Sequence, residues 1–213
     1  GIMQGGHHHA RTAGRGGMGA LLGSKNLKAL VVRGKAKPAY ADAKAFNTLV
    51  RDQNKFIKDH SVSFSEYGTA GGLPNSEAKG GLPINNWRGG NLPDAMKISG
   101  QRLHETIWTR HTFCHACPIG CGKAIEIKDG KYAGTVGEGP EYETLAFFGA
   151  NLNITDLNAI SQANDLCNRY GLDTISTGGV IAFAFEAYER GLITRAQANG
   201  FELTWGNADA LIG

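Results

Sequence analysis

The stretch from Thr155 to Gly171, "TDLNAISQANDLCNRYG", carries the clearest secondary-structure signal in the chain. Its apolar side chains recur at helical spacing, so they would share one face of an α-helix. These side chains are Leu157, Ile160, Leu166 and Tyr170. Thr155 stands where an N-cap is expected, and Gly171 stands where a helix commonly ends. The pattern therefore predicts an amphipathic helix between these two residues, with its apolar face on a protein core.

The same helical spacing of apolar side chains occurs elsewhere in the chain, so more helices than strands are predicted. A second helix is expected from about Thr177 to Arg190, with Gly191 as its stop. Residues 43–60 have apolar side chains at helical spacing, and a short helix is expected over 98–109. The C-terminal part of the chain is therefore predicted to be mostly α-helical.

The β structure is expected in shorter pieces. Residues 26–34, "NLKALVVRG", read as a strand, and residues 35–42 read as a linker. Residues 61–97 are rich in proline and glycine and are expected to be mostly loop. Residues 124–136 resemble a hairpin with Asp129-Gly130 as a type I′ turn. Together these patterns predict an α+β fold, in which residues 1–38 end a β-rich domain and residues 39–213 form a mostly α-helical domain.

Composition places the chain among ordinary soluble globular proteins. Its 213 residues are 41% hydrophobic and 19% charged, enough for one large domain or parts of two. The net charge of +3 gives no reason to expect a nucleic-acid partner, and no apolar run is long enough to span a membrane. No signal peptide is visible, and the chain begins at Gly1 rather than Met, so we expect a cytoplasmic location and an internal piece of a longer protein.

The segment "AGRGGMGALL" (13–22) spells the glycine fingerprint of dinucleotide-binding folds, G-x-G-x-x-G. That fingerprint needs a preceding strand, a following helix and an acidic residue about 20 positions later. The sequence lacks all three, because Gly23 interrupts any helix and no acidic residue occurs before Asp42. Arg11 and Arg15 instead flank bare backbone N–H groups, a combination that suits an anion.

A cysteine cluster lies in "TFCHACPIGCGKA" (112–124), with Cys114, Cys117 and Cys121 in a C-x2-C-x3-C arrangement. Buried structural cysteines and a zinc site are alternatives, and zinc would draw further ligands from among His111, His115 and Cys167. The interpretation we favour is an iron–sulfur cluster, whose irons are held by thiolates. A [4Fe–4S] cluster needs a fourth ligand, which is either Cys167 or a residue beyond 213.

Four motifs occur in the order found in one enzyme family. They are "ARTAGRGGMGALLGSKNLKALVV" (10–32), "CHACPIGCGK" (114–123), "GEGPEYETL" (137–145) and "GLDTISTGG" (171–179). Nearly the whole chain resembles the aldehyde ferredoxin oxidoreductases. The resemblance implies two pterins that hold one tungsten or molybdenum through dithiolenes, with a [4Fe–4S] cluster nearby. Residues 1–38 would then end the β-rich pterin-binding domain, and residues 39–213 would carry the cluster loop.

The resemblance also implies which residues contact the cofactor. "RTAGR" would be the pterin-phosphate loop, contacting it through Arg11, Thr12, Gly14 and Arg15, although the family often has Ala at position 12. "NRYGLD" (168–173) matches the pterin-binding pattern D-x-x-G-L-D through Leu172 and Asp173. Asn168 stands where that pattern has Asp, and an amide accepts hydrogen bonds only through its oxygen.

"GPEYET" holds the expected catalytic residue, Glu143, which matches a glutamate near the metal in the family. Glu138 and Glu141 are less favoured neighbours. A carboxylate there could accept a proton from the water that attacks an aldehyde. The family's second pterin-binding segment supplies the fourth cluster cysteine and would lie downstream of this chain.

The function implied is oxidation of a small-molecule aldehyde to a carboxylic acid, with electrons leaving through Cys114, Cys117 and Cys121 to ferredoxin or an electron-transfer subunit. One alternative keeps the fold but performs aromatic acyl-CoA reduction or sugar aldehyde oxidation. Another is a non-catalytic iron–sulfur carrier. An oligomer is possible, but Gln162 and Asp165 replace the Glu-x-x-His pair that binds a bridging metal in some members.

Overall fold

The computed structural model describes residues 2–4, 11–36 and 38–213. Near the N-terminus, strands β1 (Ile2–Gln4) and β2 (Arg11–Ala13) pair antiparallel. The chain then turns at Gly16 and Gly17, whose φ angles are +79° and +75°, and enters the short helix α1 (Met18–Ser24). This helix runs through Gly23, so the break predicted there is wrong. Glycine suits both turn positions, because other residues rarely adopt such φ angles.

The strand predicted over 26–34 is wrong. These residues form neither helix nor strand, and Leu30, Val31 and Val32 are 80%, 90% and 83% exposed. Their β propensity is real, but a strand also needs a neighbour to pair with and a face to bury. In the described sheets no strand lies beside this segment.

The predicted helix over 43–60 is confirmed as α2 (Ala43–His60). It begins at Asp42, whose carboxylate accepts a hydrogen bond of 2.9 Å from the backbone N–H of Ala45. Every side chain of α2 is exposed or half-buried. Its position is therefore on the outside of the described structure.

The segment from 61 to 97 contains more helix than predicted. Pro74 lies in the first turn of one of its helices, where a missing N–H costs no hydrogen bond. Proline there marks a helix start, whereas we had expected a loop. The elements are α3 (Val62–Tyr67), a 3₁₀ turn (Thr69–Gly72), α4 (Leu73–Ala78) and a second 3₁₀ turn (Ala95–Ile98). Helix α5 (Gly100–Thr106) follows within the predicted range 98–109.

A three-stranded antiparallel sheet follows, with the order β3-β4-β5. Its strands are β3 (Trp108–Thr112), β4 (Gly122–Glu126) and β5 (Val136–Glu138). The hairpin between β4 and β5 is confirmed, but its predicted type I′ turn is wrong. Such a turn needs positive φ at both central residues. Gly130 has φ +83°, whereas Asp129 is not among the residues with positive φ.

Helices dominate the rest of the chain. A one-turn helix, α6 (Tyr142–Thr144), continues into a π-helical turn (Leu145–Gly149) and a 3₁₀ turn (Ala150–Leu152). The two long helices that follow confirm the prediction, and a short helix closes the chain. They are α7 (Leu157–Tyr170), α8 (Thr174–Glu189) and α9 (Ala208–Ile212).

Helices α7 and α8 both have an aspartate as N-cap. Asp156, and not the predicted Thr155, caps α7, because its Oδ1 accepts from the N–H groups of Asn158 and Ala159. Asp173 caps α8 and moves its start three residues ahead of the predicted Thr177. Gly171, with φ +69°, ends α7 as expected.

The core joins the sheet to these helices, which makes the fold α+β as predicted. Fully buried side chains come from α5, β4, the π-helical turn, α7 and α8: Leu103, Ile125, Leu145, Phe148, Ile160 and Phe185. Helix α8 lies very close to the π-helical turn, because a Cβ on Gly178 would be 2.8 Å from the Cβ of Phe147. Among the described residues, no helix is both long and apolar enough to cross a membrane.

Candidate cofactor-binding site

A cavity of about 360 Å³ lies where strand β2 and the loop that follows it (residues 14–17, here the N-terminal loop) meet the end of β5 and the start of α8. It gathers all the predicted cofactor and catalytic residues whose side chains the structure describes, apart from the cysteines. They are Thr12, Gly14, Arg15, Glu143, Asn168, Leu172 and Asp173. The backbone of Arg11 belongs to β2, but its side chain lies outside the described part. Segments far apart in sequence thus meet at one wall.

An ion pair ties the N-terminal loop to the start of α8. The Arg15 guanidinium lies 3.1 Å from Oδ2 of Asp173, whose side chain is only 14% exposed. The same Oδ2 accepts from the backbone N–H of Ser176 at 2.8 Å. Burial by itself raises the pKa of Asp173, but the hydrogen bonds from Ser176 and the charge of Arg15 outweigh it and hold this pKa below its ordinary value. Asp173 is therefore a carboxylate in the folded protein.

A hydrogen bond crosses the cavity wall between Thr12 and Asn168. The Thr12 hydroxyl donates to Oδ1 of Asn168 at 3.3 Å, and both residues are half-buried. Asn164, one helical turn earlier on α7, donates its Nδ2 to the backbone oxygen of Glu138 at 2.9 Å. Asn164 was not among the residues predicted from sequence. A polar residue four positions before Asn168 on a buried helix face was the signal that could have found it.

Three glutamates line the cavity in different states. Glu138 is buried and accepts a 2.7 Å hydrogen bond from Thr112, and Glu141 accepts one from Thr69. Glu143 is exposed on α6, and in the described part of the chain no side-chain hydrogen bond engages its carboxylate. Of the three, Glu143 is the most exposed, so water reaches its carboxylate most easily.

The predicted cysteine ligands occupy the loop that joins β3 to β4. Cys114 is exposed, whereas Cys117 and Cys121 are half-buried. Positive φ angles at Ala116 (+55°) and Gly120 (+66°) bend the loop sharply. Within the described ranges, however, no three metal-binding side chains converge on one point. The structure therefore brings these thiols onto one loop without forming a ligand cage, and the iron–sulfur site stays a prediction.

Lys123 anchors the far end of this loop, and the sequence analysis missed it. Its side chain is buried, with Nζ 2.6 Å from the Ser65 oxygen and 3.1 Å from the Cys121 oxygen. His111 Nδ1 lies 3.0 Å from the Gly120 oxygen. These contacts hold the backbone carbonyls of Gly120 and Cys121 at the end of the cysteine loop. The signal was a lysine directly before the apolar pair Ala124 and Ile125 of a strand, where a charge must find partners.

Cys167 lies in the main core on α7, among apolar side chains. Burial raises the pKa of its thiol, which favours the protonated form over a metal-binding thiolate. This is the position of a side chain that packs in the core. The fourth cluster ligand beyond residue 213 remains a prediction.

Comparison with known proteins identifies the family. Residues 48–213 match the family described as "Aldehyde ferredoxin oxidoreductase, domains 2 & 3". The chain belongs to the aldehyde ferredoxin oxidoreductase family. The tungsten-containing aldehyde ferredoxin oxidoreductase of Pyrococcus furiosus is 41% identical over 99% of this chain, and that of Thermococcus kodakarensis is 39% identical over 99%.

A further relative has a different name. The aliphatic sulfonate oxidoreductase, WOR-like subunit, of Pyrococcus furiosus is 35% identical over 93% of this chain. The match covers 34% of the length of each aldehyde ferredoxin oxidoreductase above and 32% of the WOR-like subunit. The chain therefore spans about a third of the length of these curated relatives.

Membership in this tungsten-containing family implies a tungsten pterin cofactor. The cavity fits part of such a group, because its volume lies within the range of small-molecule sites, about 300–1,000 Å³. Its wall offers a guanidinium, an amide and carboxylates, which are suited to the polar edges and phosphate of a pterin. A larger cleft, of about 820 Å³, is lined by none of the predicted site residues.

Proposed function

We propose that this chain forms part of an enzyme that oxidises an aldehyde to a carboxylic acid at a tungsten (or molybdenum) bis-pterin centre. In the overall reaction, an aldehyde and water give a carboxylic acid, two protons and two electrons. The observation that carries the proposal is the single cavity lined by Arg15, Glu143, Asn168 and Asp173. The family match and the names of the relatives support it.

In this proposal the N-terminal loop and the start of α8 hold the pterin. Arg15 supplies a positive charge for the phosphate, and Asp173 fixes the position of Arg15 through their 3.1 Å contact. Thr12 and Asn168 contribute further polar groups to the same cavity. The bound metal would supply Lewis acidity and accept the electron pair of the oxidation.

Glu143 is proposed as the general base. Its carboxylate would accept a proton from water as the water oxygen forms a bond to the aldehyde carbon. Glu138 and Glu141 are less suited, because Glu138 is buried and Glu141 is half-buried, whereas Glu143 is exposed on α6. The test is Glu143→Gln in the full-length enzyme, with the exposed Glu105→Gln as the matched control.

For Glu143→Gln, kcat should fall about 100-fold or more, with tungsten and pterin contents unchanged. Glu105→Gln should keep the wild-type kcat. Wild-type turnover in Glu143→Gln would remove Glu143 from the chemistry. A loss of tungsten along with activity would show instead that Glu143 holds the cofactor.

Electrons are proposed to leave through a [4Fe–4S] cluster on Cys114, Cys117 and Cys121, to ferredoxin or a partner subunit. The sheet supports this route, because it connects the cysteine loop to the cavity. The cysteine loop follows β3, and the cavity lies at the end of β5. A hydrogen bond from Thr112 to Glu138 links these two strand ends. Ser substitution of Cys117 should lower the iron content and the transfer of electrons to ferredoxin. Unchanged iron content would rule out Cys117 as a ligand.

A second candidate reaction follows from the relative named as an aliphatic sulfonate oxidoreductase. The same pocket could serve another substrate, because one fold commonly hosts several reactions. Steady-state assays with a panel of aldehydes and aliphatic sulfonates distinguish the two. A higher kcat/KM for an aldehyde is expected, and a preference for a sulfonate would replace the first candidate.

A further inference from the structure

Helix α8 has apolar side chains around most of its circumference. From Gly178 to Phe185 it contains no polar residue. Gly178, Ala182 and Phe185 are buried on the core side, whereas Val180 and Phe183 lie on the opposite side and are each 68% exposed. A helix that is apolar all round is normally buried in the core of a large protein or spans a membrane. With 16 residues, α8 is shorter than the ~20 that a span needs, which points to a protein core.

A turn of unusual backbone conformation exposes another large apolar side chain, Trp87. Asn85, Asn86 and Trp87 have φ angles of +47°, +56° and +64°, and left-handed backbone is rare in consecutive residues other than glycine. The turn is held by Asn151, a 1% exposed residue whose Oδ1 accepts from the backbone N–H of Asn86 at 2.8 Å. Backbone of this kind persists only where the surrounding structure holds it, and it occurs mainly at functional positions. Trp87 itself is 68% exposed, which makes it a candidate contact for another part of the protein.

Two contacts attach this turn to α8 near Phe183. Nδ2 of Asn86 donates to Oε2 of Glu186 at 2.6 Å. The Arg88 guanidinium lies 2.6 Å from Oε2 of Glu189. Glu186 follows Phe183 by three residues, which is about one helical turn. The turn and the exposed side of α8 are therefore neighbouring parts of one surface, which we call the α8 face: Val180, Phe183 and Trp87.

We propose that an amphipathic helix from another part of the same full-length polypeptide packs on the α8 face. The chain spans about a third of the length of its curated relatives, so most of a full-length protein of their size remains to cover this face. The two glutamates beside the face are already paired with arginines, so the contact that remains for a partner is apolar. Val180 and Phe183 are three residues apart, a spacing that forms ridges suited to the grooves of a facing helix.

A second copy of the chain is a less suitable occupant of the α8 face. Two separate chains lose translational and rotational freedom when they associate, and a stable interface usually takes about 20–30 residues from each. The α8 face offers three large apolar side chains. A segment of the same polypeptide is already tethered to the face, so a small apolar surface is enough to hold it.

Photo-crosslinking in the full-length protein tests this proposal. Phe183 is replaced by p-benzoylphenylalanine, whose ketone forms bonds to neighbouring C–H groups when it is irradiated. We expect residue 183 to be joined to a peptide of the same polypeptide outside these 213 residues, in a product of single-chain mass on a denaturing gel. The same replacement of Lys79, an exposed residue at the end of α4, is the control and should give little or no crosslink. A crosslink of double mass, a crosslink within the 213 residues, or no crosslink at position 183 would overturn the proposal.

Thermal unfolding of the full-length protein is the second measurement. Phe183→Glu should lower the Tm by several degrees, because it buries a carboxylate without a partner under the facing helix. Phe183→Leu keeps an apolar side chain and should change the Tm much less. An equal Tm for wild type and Phe183→Glu would mean that Phe183 stays exposed, and the proposal would be wrong. Neither measurement uses catalysis, so failure of the proposed aldehyde oxidation would leave both results unaffected.

Discussion

Replacing Asp173 by Ala should weaken both the fold and the cofactor site. The change removes the N-cap of α8, where Oδ2 accepts from Ser176 at 2.8 Å, and leaves Arg15 without its partner. Loss of an N-cap costs about 0.5–2 kcal/mol. The ion pair adds at most about 1 kcal/mol, because the Arg15 side chain is 60% exposed and solvent screens it. We expect the free energy of unfolding to fall by about 0.5–3 kcal/mol.

Two further variants separate the stability contribution of the N-cap from that of the Arg15–Asp173 ion pair. Asp173→Asn keeps a capping oxygen, so its cost should stay within the ion-pair contribution of about 1 kcal/mol. Asp156→Ala removes the corresponding cap of α7, which lies outside the cavity. It should lower stability by about 0.5–2 kcal/mol while the cofactor content stays at the wild-type level.

The assays are urea unfolding and pterin content of the purified protein. Because the folded pKa of Asp173 lies below its ordinary value of 3.8, its carboxylate stabilises the fold above that value, and the effect is lost as pH falls through the folded pKa. The stability gap between wild type and Asp173→Asn should therefore narrow only below about pH 4. Equal stability of Asp173→Ala and wild type, or equal loss of cofactor in Asp156→Ala, would refute this reasoning.

Two more substitutions test the packing around the site. Lys123→Met should lower the free energy of unfolding by about 1–3 kcal/mol and reduce iron content, because the part-buried carbonyls of Ser65 and Cys121 lose their donor. The exposed Lys128→Met is its control, and an equal effect in urea unfolding would contradict the role of Lys123. Gly178→Ala should destabilise by about 1–3 kcal/mol, because its Cβ would clash with Phe147. At the neighbouring Gly179 an added Cβ meets open space, so Gly179→Ala should stabilise α8 by roughly 0.5–1 kcal/mol. If thermal unfolding found Gly178→Ala more stable than Gly179→Ala, it would contradict the close contact between Gly178 and Phe147.

Local patterns were enough to predict the long helices. The apolar spacing of α7 and its Gly171 stop depend on residues next to each other in sequence, so sequence reasoning found them. The strand over 26–34 failed because β propensity does not supply a neighbouring strand. Caps were misplaced by a residue or more, since Thr155 and Asp156 are both acceptable caps and only the geometry selects Asp156.

For the candidate site, single residues could be predicted from the sequence, but the contacts between them could not. Resemblance marked Thr12, Asn168 and Asp173 one by one, but only the fold shows that Thr12 contacts Asn168 and that Arg15 contacts Asp173. Lys123 was missed because its partners are backbone oxygens, which leave no trace in the side-chain pattern. The cysteine ligands remain a prediction from spacing.

We propose that this chain lines a tungsten (or molybdenum) pterin site beside an iron–sulfur cluster. The first measurement is plasma mass spectrometry of the anaerobically purified full-length protein. We expect about one tungsten or molybdenum and about four iron atoms per chain. Zinc alone, with neither tungsten nor molybdenum, would contradict both the pterin site and the cluster.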